Sequence, residues 1–405
     1  MKVYLVGGAV RDQLLGYPVK EQDWVVVGAA PDDLLQQGYQ QVGRDFPVFL
    51  HPETHEEYAL ARTERKLAPG YYGFSCDFNP QVTLEDDLSR RDLTINAMAM
   101  DAEGRLVDPY HGLDDLHARI LRHVSPAFVE DPVRVLRVAR FAARYHHLGF
   151  KLADETRALM YSMVRRGELA HLVPERVWQE WQLSLQERNP ELFIKTLRSA
   201  GALQVVLPEL DALFGVPGLR LYHPEVDSGV HTLMVLEASV ELTCDVMIRF
   251  AASVHDLGKA ATPMNEWPSH RGHEARGLPI IDAMCQRLRI PADYRKFALM
   301  VSRYHLTIHR LLELRANTIV NTFEQTDAFR RPHLFEKLLI ACEADARGRG
   351  GAREEYKQAA QWRNLLGACA NISATSFVEQ GLRGEAIKAA LHQRRVKSIK
   401  NWNQS

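Results

Sequence analysis

The pattern of hydrophobic and polar positions changes near residue 130. Before that point, short apolar runs at residues 3–6 and 24–27 are bounded by turn residues, which is typical of buried strands. After it, almost every segment carries apolar residues at three- and four-residue intervals, the spacing of amphipathic helices. The pattern therefore predicts an α+β fold, in which a small N-terminal sheet domain is followed by all-helical domains.

Other features of the pattern suggest where the chain divides. Further β-type runs are found at residues 46–50, 57–61 and 97–100. Residues 62–73 are charged and then rich in glycine and aromatic side chains, which favours a mobile loop, and the glycines at 347–351 indicate a break. We predict four domains, with the bounds 1–130, 131–205, 206–350 and 351–405.

Composition excludes several classes of protein. A net charge of −1 with 46% hydrophobic and 25% charged residues is that of an ordinary folded protein. The five cysteines form no CxxC pair, so neither a disulfide framework nor a cysteine zinc site is expected. No apolar run has the length of a membrane span and no signal-peptide pattern is present, so we expect a cytoplasmic protein without membrane contact.

The first candidate chemistry lies at the start of the chain. Gly7 and Gly8 follow the first predicted strand and lead into a short helical pattern, so their backbone N–H groups could hold a phosphate. Glu21 and Asp23 are two residues apart at the start of the next strand, which points both carboxylates the same way. Two such carboxylates beside a phosphate suit Mg²⁺. Taken alone, the stretch could equally be a glycine turn between ordinary core strands.

Two downstream motifs change that balance. Residues 90–99 read RRDLTINAMA and residues 130–141 read EDPVRVLRVARF. With the Gly-Gly and acid-x-acid motifs, in this order, the chain closely resembles the class II tRNA nucleotidyltransferases, the family of CCA-adding enzymes and bacterial poly(A) polymerases. The chain has Glu21 where the family usually has Asp and Leu93 where it usually has Phe. The first change keeps the charge and the second keeps an apolar side chain.

The resemblance implies roles for particular residues. Glu21 and Asp23 would be the catalytic ligands of Mg²⁺, and Asp92 is expected to orient Arg91. The implied nucleotide-binding residues are Gly8, Arg11, Arg91, Asp131, Arg134, Arg137 and Arg140. Asp131 and Arg134 would select the base, because the acid can accept a hydrogen bond from the amino group that cytosine and adenine share. Guanine and uracil present a carbonyl there, which leaves the acid facing an acceptor.

The second helical half contains a separate set of candidate ligands. His231, His255 and Asp256 lie in or at the end of predicted helices, and the run HDLGK begins at His255. The order resembles that of the HD superfamily of metal-dependent phosphohydrolases, whose last ligand is an Asp; Asp345 fits its helical context and Asp327 is the alternative. Histidine with carboxylate suits Ni²⁺ or another transition metal. His273 and His305 could be ligands, supports of ligands or substrate contacts.

The two resemblances together imply a function. The chain would add CCA to the 3′ end of tRNA from CTP and ATP without a nucleic-acid template, and an HD domain would hydrolyse phosphoesters. The four domains would be the catalytic head, a helical neck, the HD domain and a tRNA-contacting tail, in a monomer or a dimer. Residues 174–180 would brace the neck through an intrahelical Arg176–Glu180 pair. The alternatives are a poly(A) polymerase and an HD phosphohydrolase whose head only binds RNA.

Overall fold

The computed structural model describes residues 1–19, 21–42, 48–66, 74–218, 227–349 and 355–402. The chain forms two compact units, Met1–Val206 and Leu207–Ser405. The first unit contains a sheet and helices and the second is built from helices, so the predicted α+β class is confirmed. The finer division into four domains stays a prediction.

Strands are confined to the first unit within the described ranges. They are β1 Lys2–Val6, β2 Asp23–Val27, β3 Gln40–Val42, β4 Val48–Leu50, β5 Glu57–Leu60, β6 Thr63–Lys66, β7 Phe74–Asp77, β8 Ala99–Met100, β9 Leu106–Val107, β10 Ile120–Leu121 and β11 Lys151–Leu152. In this part of the chain the main sheet has the order β3-β4-β5-β2-β1-β8-β9. β1 is antiparallel to β2, whereas β2 and β5 are parallel.

The helices of the first unit surround this sheet and continue beyond it. They are α1 Gly8–Leu14, α2 Pro31–Gln36, α3 Leu84–Ser89, α4 Gly112–Ala118, α5 Val133–Tyr145, α6 Asp154–Arg165, α7 Pro174–Leu185, α8 Glu191–Ser199 and α9 Leu203–Val206. β1 and β2 are central because their alternate residues are buried on both faces: Val6 and Val25 pack on one side, and Val26 packs with Leu34 and Phe49 on the other.

One predicted loop is partly a strand pair. Residues 62–73 were expected to be a loop, but Thr63–Lys66 forms β6 and pairs with β7 in antiparallel register, Thr63 opposite Asp77. Backbone pairing therefore overrides the charged composition of this segment. Residues 67–73 lie outside the described part of the chain, as do residues 46 and 47 of the strand predicted at 46–50.

The second unit is a helical assembly. Its helices are α10 Pro208–Asp211, α11 Ser228–Leu242, α12 Val246–Val254, α13 His273–Arg287, α14 Ala292–His309, α15 Ala316–Gln325, α16 Pro332–Arg347, α17 Lys357–Ala370, α18 Thr375–Glu379 and α19 Glu385–Trp402. Val235 of α11, Ala252 of α12 and Ala344 of α16 are fully buried against one another. No helix within the described ranges combines the length and the apolar composition that crossing a bilayer requires.

Candidate active site and metal centre

A cavity of about 600 Å³ lies in the first unit. All of the residues for which the sequence predicted a catalytic or nucleotide-binding role lie on its wall, namely Gly8, Arg11, Glu21, Asp23, Arg91, Asp131, Arg134, Arg137 and Arg140. They come from four separate segments of the chain: the Gly-Gly turn with α1, the start of β2, residue 91, and α5 with the residues just before it. The structure therefore brings the predicted set together in one pocket.

The glycine turn sits directly against Arg91. Gly7 has a φ of 68°, a left-handed conformation that side chains rarely adopt, and a Cβ on it would lie 2.6 Å from Arg91 Nη1. Arg91 is held from behind by Asp87, whose Oδ2 accepts a hydrogen bond from Arg91 Nη2 at 3.2 Å. Only glycine at position 7 leaves the guanidinium room beside the start of α1.

The two carboxylates lie at the same end of the sheet as this turn. Asp23, the first residue of β2, is the pairing partner of Val6, the last residue of β1, which places its side chain beside Gly7. Burial raises the pKa of Asp23; Arg91 lowers it and Glu21 raises it. A divalent cation would relieve the repulsion between the two acids. This donor set, two carboxylates facing an open pocket, fits Mg²⁺.

Three arginines of α5 form one wall of the pocket, and each is held by an acid. The pairs are Arg137 Nε with Asp92 at 2.7 Å, Arg140 Nε with Glu180 at 2.6 Å and Arg144 Nη2 with Asp12 at 3.2 Å. Because the carboxylates fix the guanidinium groups, the positive charges are in place before any ligand arrives. Arg144 was not predicted to belong to the site.

Asp92 does not have the predicted partner. It was expected to orient Arg91, but it accepts hydrogen bonds from Arg137 Nε at 2.7 Å, Asn96 Nδ2 at 2.8 Å and the Leu93 amide at 2.8 Å. Burial raises the pKa of Asp92, yet Arg137 and these hydrogen bonds outweigh it and hold the pKa well below its usual range. Asp92 is therefore an ionised support for the α5 arginine wall.

Asp131 and Arg134 flank the start of α5. Asp131 Oδ2 accepts a hydrogen bond from Arg176 Nη2 at 3.2 Å, and Asp131 Oδ1 accepts one from the Val133 amide at 3.0 Å. Arg134 Nη2 donates to the backbone carbonyl of Arg90 at 2.5 Å. Both side chains line the cavity while these bonds fix their positions.

The helix at 174–180 contributes more than the predicted brace. Arg176 and Glu180 were expected to pair within α7, but the two side chains reach Asp131 and Arg140 instead. Arg176 also lines the pocket, as do Arg62 and Arg90, for which no role was predicted. Position could have suggested Arg90, which is adjacent to Arg91 in the same motif.

The second unit contains a cavity of about 700 Å³ with a buried cluster of histidines and acids at its base. His231 comes from α11, Asp345 from α16, and His255 and Asp256 lie together at the C-terminal end of α12. The grouped ligand atoms are those of His231, His255 and Asp256; of His255, His305 and Asp345; and of Asp256, His273 and His305, each within 4.8 Å of one another. The four predicted ligands therefore meet in one place.

Three of the histidines are oriented in the same way. Nδ1 of His255, of His273 and of His305 each lies 2.8 Å from the backbone carbonyl three residues earlier. A carbonyl only accepts, so Nδ1 carries the hydrogen and Nε2 presents its lone pair to the cluster. His255 Nε2 is buried without a hydrogen-bond partner among the described residues. Imidazole lone pairs and carboxylate oxygens that converge on one point form the ligand set that a transition-metal ion requires.

The charges of the cluster also fit a cation. Burial alone would lower the pKa of His255, but Asp256 and Asp345 outweigh it and raise that pKa to about 10. Those carboxylates lie 3.4 and 3.7 Å from His255 Nε2. With this raised pKa, Nε2 of His255 holds a proton at neutral pH when no metal ion is bound. A metal ion at the same position would replace that proton.

The two residues predicted as alternatives for the last ligand lie in different surroundings. Asp345 is buried, with Oδ1 3.0 Å from His231 Nε2. Asp327 is partly exposed after α15, at a φ of 55°, and forms ion pairs with Arg330 and Arg331. Asp327 therefore lies outside the cluster that contains His231, His255 and Asp256.

His273 and His305 lie inside the cluster of ligand atoms and not at its edge. His273 Nε2 is 3.1 Å from Asp256 Oδ1 and 3.2 Å from His305 Nε2. His309, which sequence reasoning missed, is 2.7 Å from Asp345 Oδ2. The signal was present, because His305 and His309 are four residues apart and so share one face of α14.

A backbone contact sets the position of His273. Gly258 lies so close to the start of α13 that a Cβ on it would be 2.0 Å from the carbonyl oxygen of His273 and 2.5 Å from the amide nitrogen of Gly277. The segment after Asp256 and the helix that carries His273 are thus in direct main-chain contact.

Known families match this chain in two places. Residues 3–122 match the Poly A polymerase head domain, and residues 149–214 match the family described as the probable RNA and SrmB-binding site of polymerase A. The first match contains the glycine turn, both carboxylates and Arg91. The second contains α7 and Arg176.

Solved structures with low sequence identity share the fold. An apo CCA-adding enzyme aligns with a TM-score of 0.65 at 20% identity, covering 98% of this chain and 87% of its own. A Bacillus stearothermophilus CCA-adding enzyme in complex with CTP aligns with a TM-score of 0.62 at 22% identity, covering 99% and 89%. A Thermotoga maritima CCA-adding enzyme complexed with tRNA gives 0.62 at 19% identity, covering 98% and 86%.

Curated relatives are much more similar in sequence. A protein of Legionella pneumophila (strain Paris) named multifunctional CCA protein is 66% identical over 98% of this chain and 97% of its own length. A protein of the same name from Thioalkalivibrio sulfidiphilus is 61% identical over 99% and 98%. Identity at this level over 98–99% of the chain establishes the family: the chain belongs to the class II tRNA nucleotidyltransferases, the CCA-adding enzymes.

Proposed function

We propose that this protein adds CCA to the 3′ end of tRNA from CTP and ATP without a nucleic-acid template. The observation that carries the proposal is the pocket in which two carboxylates, the glycine turn and the arginine wall meet. The names of the relatives, and the solved relatives in complex with CTP and with tRNA, support the same substrates.

The carboxylates and the arginines divide the chemistry between them. Glu21 and Asp23 hold Mg²⁺, which supplies activation of the RNA 3′-hydroxyl and charge for the departing pyrophosphate. Arg11, Arg91 and Arg137 face the triphosphate, where their fixed donors stabilise negative charge without reorganisation. Arg140, bound to Glu180, braces the same wall.

Base selection rests on Asp131 and Arg134. Asp131 accepts a hydrogen bond from the amino group of cytosine or adenine, and Arg134 donates to the ring atom beside it. Arg176 donates to both carboxylate oxygens of Asp131, at 3.4 and 3.2 Å, which limits how that acid can turn toward a wrong base. Leaving the acid opposite the carbonyl of uracil or guanine costs about 1–3 kcal/mol.

We further propose that the second unit is a metal-dependent phosphohydrolase. The buried ligands His231, His255, Asp256 and Asp345 hold Ni²⁺ or another transition-metal ion, whose chemistry is the activation of a water molecule. Asp256, His273 and His305 offer a second group of ligand atoms next to the first.

The substrates that fit this centre are phosphoesters of an RNA end. Lys259 Nζ lies 2.6 Å from Asp256, and Arg349 Nη2 lies 3.4 Å from Asp345, so two cations border the ligands on the cavity wall. We propose 2′,3′-cyclic phosphates, 2′-phosphates and phosphate monoesters as substrates. Removing such groups would repair damaged ends, because a 3′ end carrying a phosphate cannot act as the nucleophile in CCA addition.

Three further statements belong to the proposal. The C-terminal segment would contact tRNA through the basic side chains of α19. The protein would act in the cytoplasm as a monomer or a dimer, and the described cysteines Cys244, Cys285, Cys342 and Cys369 are all free thiols, which suits a reducing compartment.

One assay tests the main proposal and its rival. Purified protein is given tRNA lacking CCA with each labelled nucleotide in turn and Mg²⁺. Ordered incorporation of two C and one A supports CCA addition, whereas incorporation of A alone in a long run supports the poly(A) polymerase alternative. The same preparation, treated with chelator and then with Ni²⁺ or Mn²⁺, is assayed on 2′,3′-cyclic nucleotides. No hydrolysis with any divalent ion would overturn the second proposal.

A further inference from the structure

A chain of hydrogen bonds connects the metal centre of the second unit to the segment beyond residue 354. His309 Nε2 lies 2.7 Å from Asp345 Oδ2, and His309 Nδ1 lies 2.8 Å from the hydroxyl oxygen of Tyr356. The sequence assigned Tyr356 to a tRNA-contacting tail beginning at residue 351. The structure instead has its hydroxyl two contacts away from the ligands.

The direction of each hydrogen bond follows from its acceptor. The Asp345 carboxylate only accepts, so His309 Nε2 carries the hydrogen. In the neutral imidazole Nδ1 is then an acceptor, and the Tyr356 hydroxyl is the donor. Burial raises the pKa of Tyr356, which keeps this hydroxyl protonated. Tyr356 therefore selects one of the two tautomers of His309.

The segment that carries Tyr356 is fixed independently. Trp362 of α17 is fully buried, and its Nε1 donates to the backbone carbonyl of Ile308 at 3.0 Å. Its ring packs edge-on against Phe323 and Phe335, with centroids 5.2 and 5.8 Å away. Because Ile308 immediately precedes His309, α17 holds the end of α14 through the backbone as well as through Tyr356.

We propose that Tyr356 is a positioning residue of the metal centre. Its hydroxyl fixes the tautomer and the ring orientation of His309, and His309 holds Asp345 Oδ2 so that Oδ1 faces His231 and His255, at 3.0 and 3.7 Å. Groups that orient a metal ligand in this way raise metal affinity. The inference rests on the proposed phosphohydrolase function of this unit.

Arg349 does not replace this support. Its Nη2 reaches the same oxygen of Asp345, but at 3.4 Å, compared with 2.7 Å for His309. Losing the His309 contact leaves Asp345 with the longer contact at Oδ2. The orientation of the carboxylate thus depends chiefly on the side chain that Tyr356 holds.

The test is metal affinity, measured by calorimetric titration of the metal-free full chain with Ni²⁺. Tyr356→Phe removes only the hydroxyl, and we expect Ni²⁺ binding about two- to tenfold weaker, the worth of one hydrogen bond. The matched control is Tyr304→Phe on α14, the helix that carries His309; it loses a 2.8 Å hydrogen bond to Gln325 outside the cluster. The control should bind Ni²⁺ as the wild type does.

A double-mutant comparison separates positioning from a general loss of stability. His309→Ala should weaken Ni²⁺ binding about 10- to 100-fold, and adding Tyr356→Phe to it should change nothing further. Nucleotide addition with Mg²⁺ should stay unchanged in every variant. Unchanged affinity in Tyr356→Phe, or an additive loss in the double variant, would overturn the coupling alone. Wild-type protein that binds none of Ni²⁺, Co²⁺ and Mn²⁺ at this centre would overturn the proposed phosphohydrolase itself.

Discussion

In the pocket of the first unit carboxylates hold arginines, whereas in the pocket of the second unit carboxylates face histidines. Asp92, for example, accepts a hydrogen bond from Arg137. The guanidinium groups of the α5 arginines remain on the pocket wall as permanent positive charge. Asp256 and Asp345 have histidine nitrogens around them instead, with Lys259 and Arg349 at the margin.

The difference separates two ways of recognising phosphate. A pocket with fixed arginines attracts a triphosphate by itself and needs a metal for the reacting atoms only. A pocket whose acids are compensated by a proton on histidine becomes strongly positive only when a metal ion replaces that proton. The first pocket should therefore bind its ligand without metal, and the second should not.

The largest effect is expected from the carboxylates proposed to be catalytic. Asp23→Asn changes one of the two proposed Mg²⁺ ligands and should lower incorporation of both C and A by about a thousandfold or more, while tRNA binding persists. Single-turnover incorporation and gel-shift affinity measure the two quantities. Asp114→Asn, at an exposed acid outside the pocket, is the control. Robust incorporation by Asp23→Asn would move the metal site elsewhere.

A comparable change in the second pocket should spare the first. Asp345→Asn should lower Ni²⁺- or Mn²⁺-dependent phosphoester hydrolysis about 100- to 1,000-fold, because a ligand is lost, and should leave CCA addition close to the parent rate. Asp327→Asn makes the same chemical change at an acid outside the cluster and should retain full hydrolysis. Equal losses of hydrolysis in the two variants would contradict the proposal that Asp345 is the last ligand.

Nucleotide selectivity should respond to the loss of one arginine of α5 and not to the loss of another. Arg134→Ala should reduce discrimination against UTP and GTP about 10- to 100-fold, more than it lowers use of CTP. Arg144 lies near the C-terminal end of α5 and is held by Asp12. Arg144→Ala should lower kcat/KM for all four nucleotides together. The measurement is kcat/KM for each nucleotide. A uniform loss in Arg134→Ala would make Arg134 a brace for the Arg90 carbonyl.

The smallest effect concerns acid stability of the first pocket. The pKa of Asp92 is lowered by its partners, so its contribution to stability is present above its unfolded pKa of about 3.9 and is lost as pH falls toward the folded value. Asp92→Asn should lower the free energy of unfolding by about 1–3 kcal/mol at neutral pH and flatten its decline below about pH 5. Urea unfolding across this pH range tests it, with Asp114→Asn as the control.

Local features of both sites could be predicted from the sequence. The period of two in a strand predicted that Glu21 and Asp23 share a side, and both line the pocket, although β2 begins only at Asp23. His255 and Asp256 leave one helix end because an apolar helical pattern precedes them. Such relations need only the geometry of one element. The fold class followed from periodicity for the same reason.

The partners of the charged residues could not be predicted. Arg137 lies 45 positions from Asp92, and Asp131 lies 45 positions from Arg176. Which acid meets which arginine depends on how α5 packs against α7 and against the segment that carries Asp92, which no local pattern encodes. The parallel pairing of β2 with β5 is non-local in the same sense.

Gly258 follows Asp256 and lies against the main chain at the start of α13, which carries His273. The distance between Asp256 and His273 is therefore set by the main chain. Side-chain packing can relax by a rotamer change, but two backbones already in contact cannot move closer, and they separate only if α13 shifts as a whole. The centre should therefore discriminate ions by radius with little tolerance. Gly258→Ala should therefore alter the relative affinities for Mn²⁺, Co²⁺ and Ni²⁺, because its methyl group meets the backbone of His273 and Gly277 and no ligand atom.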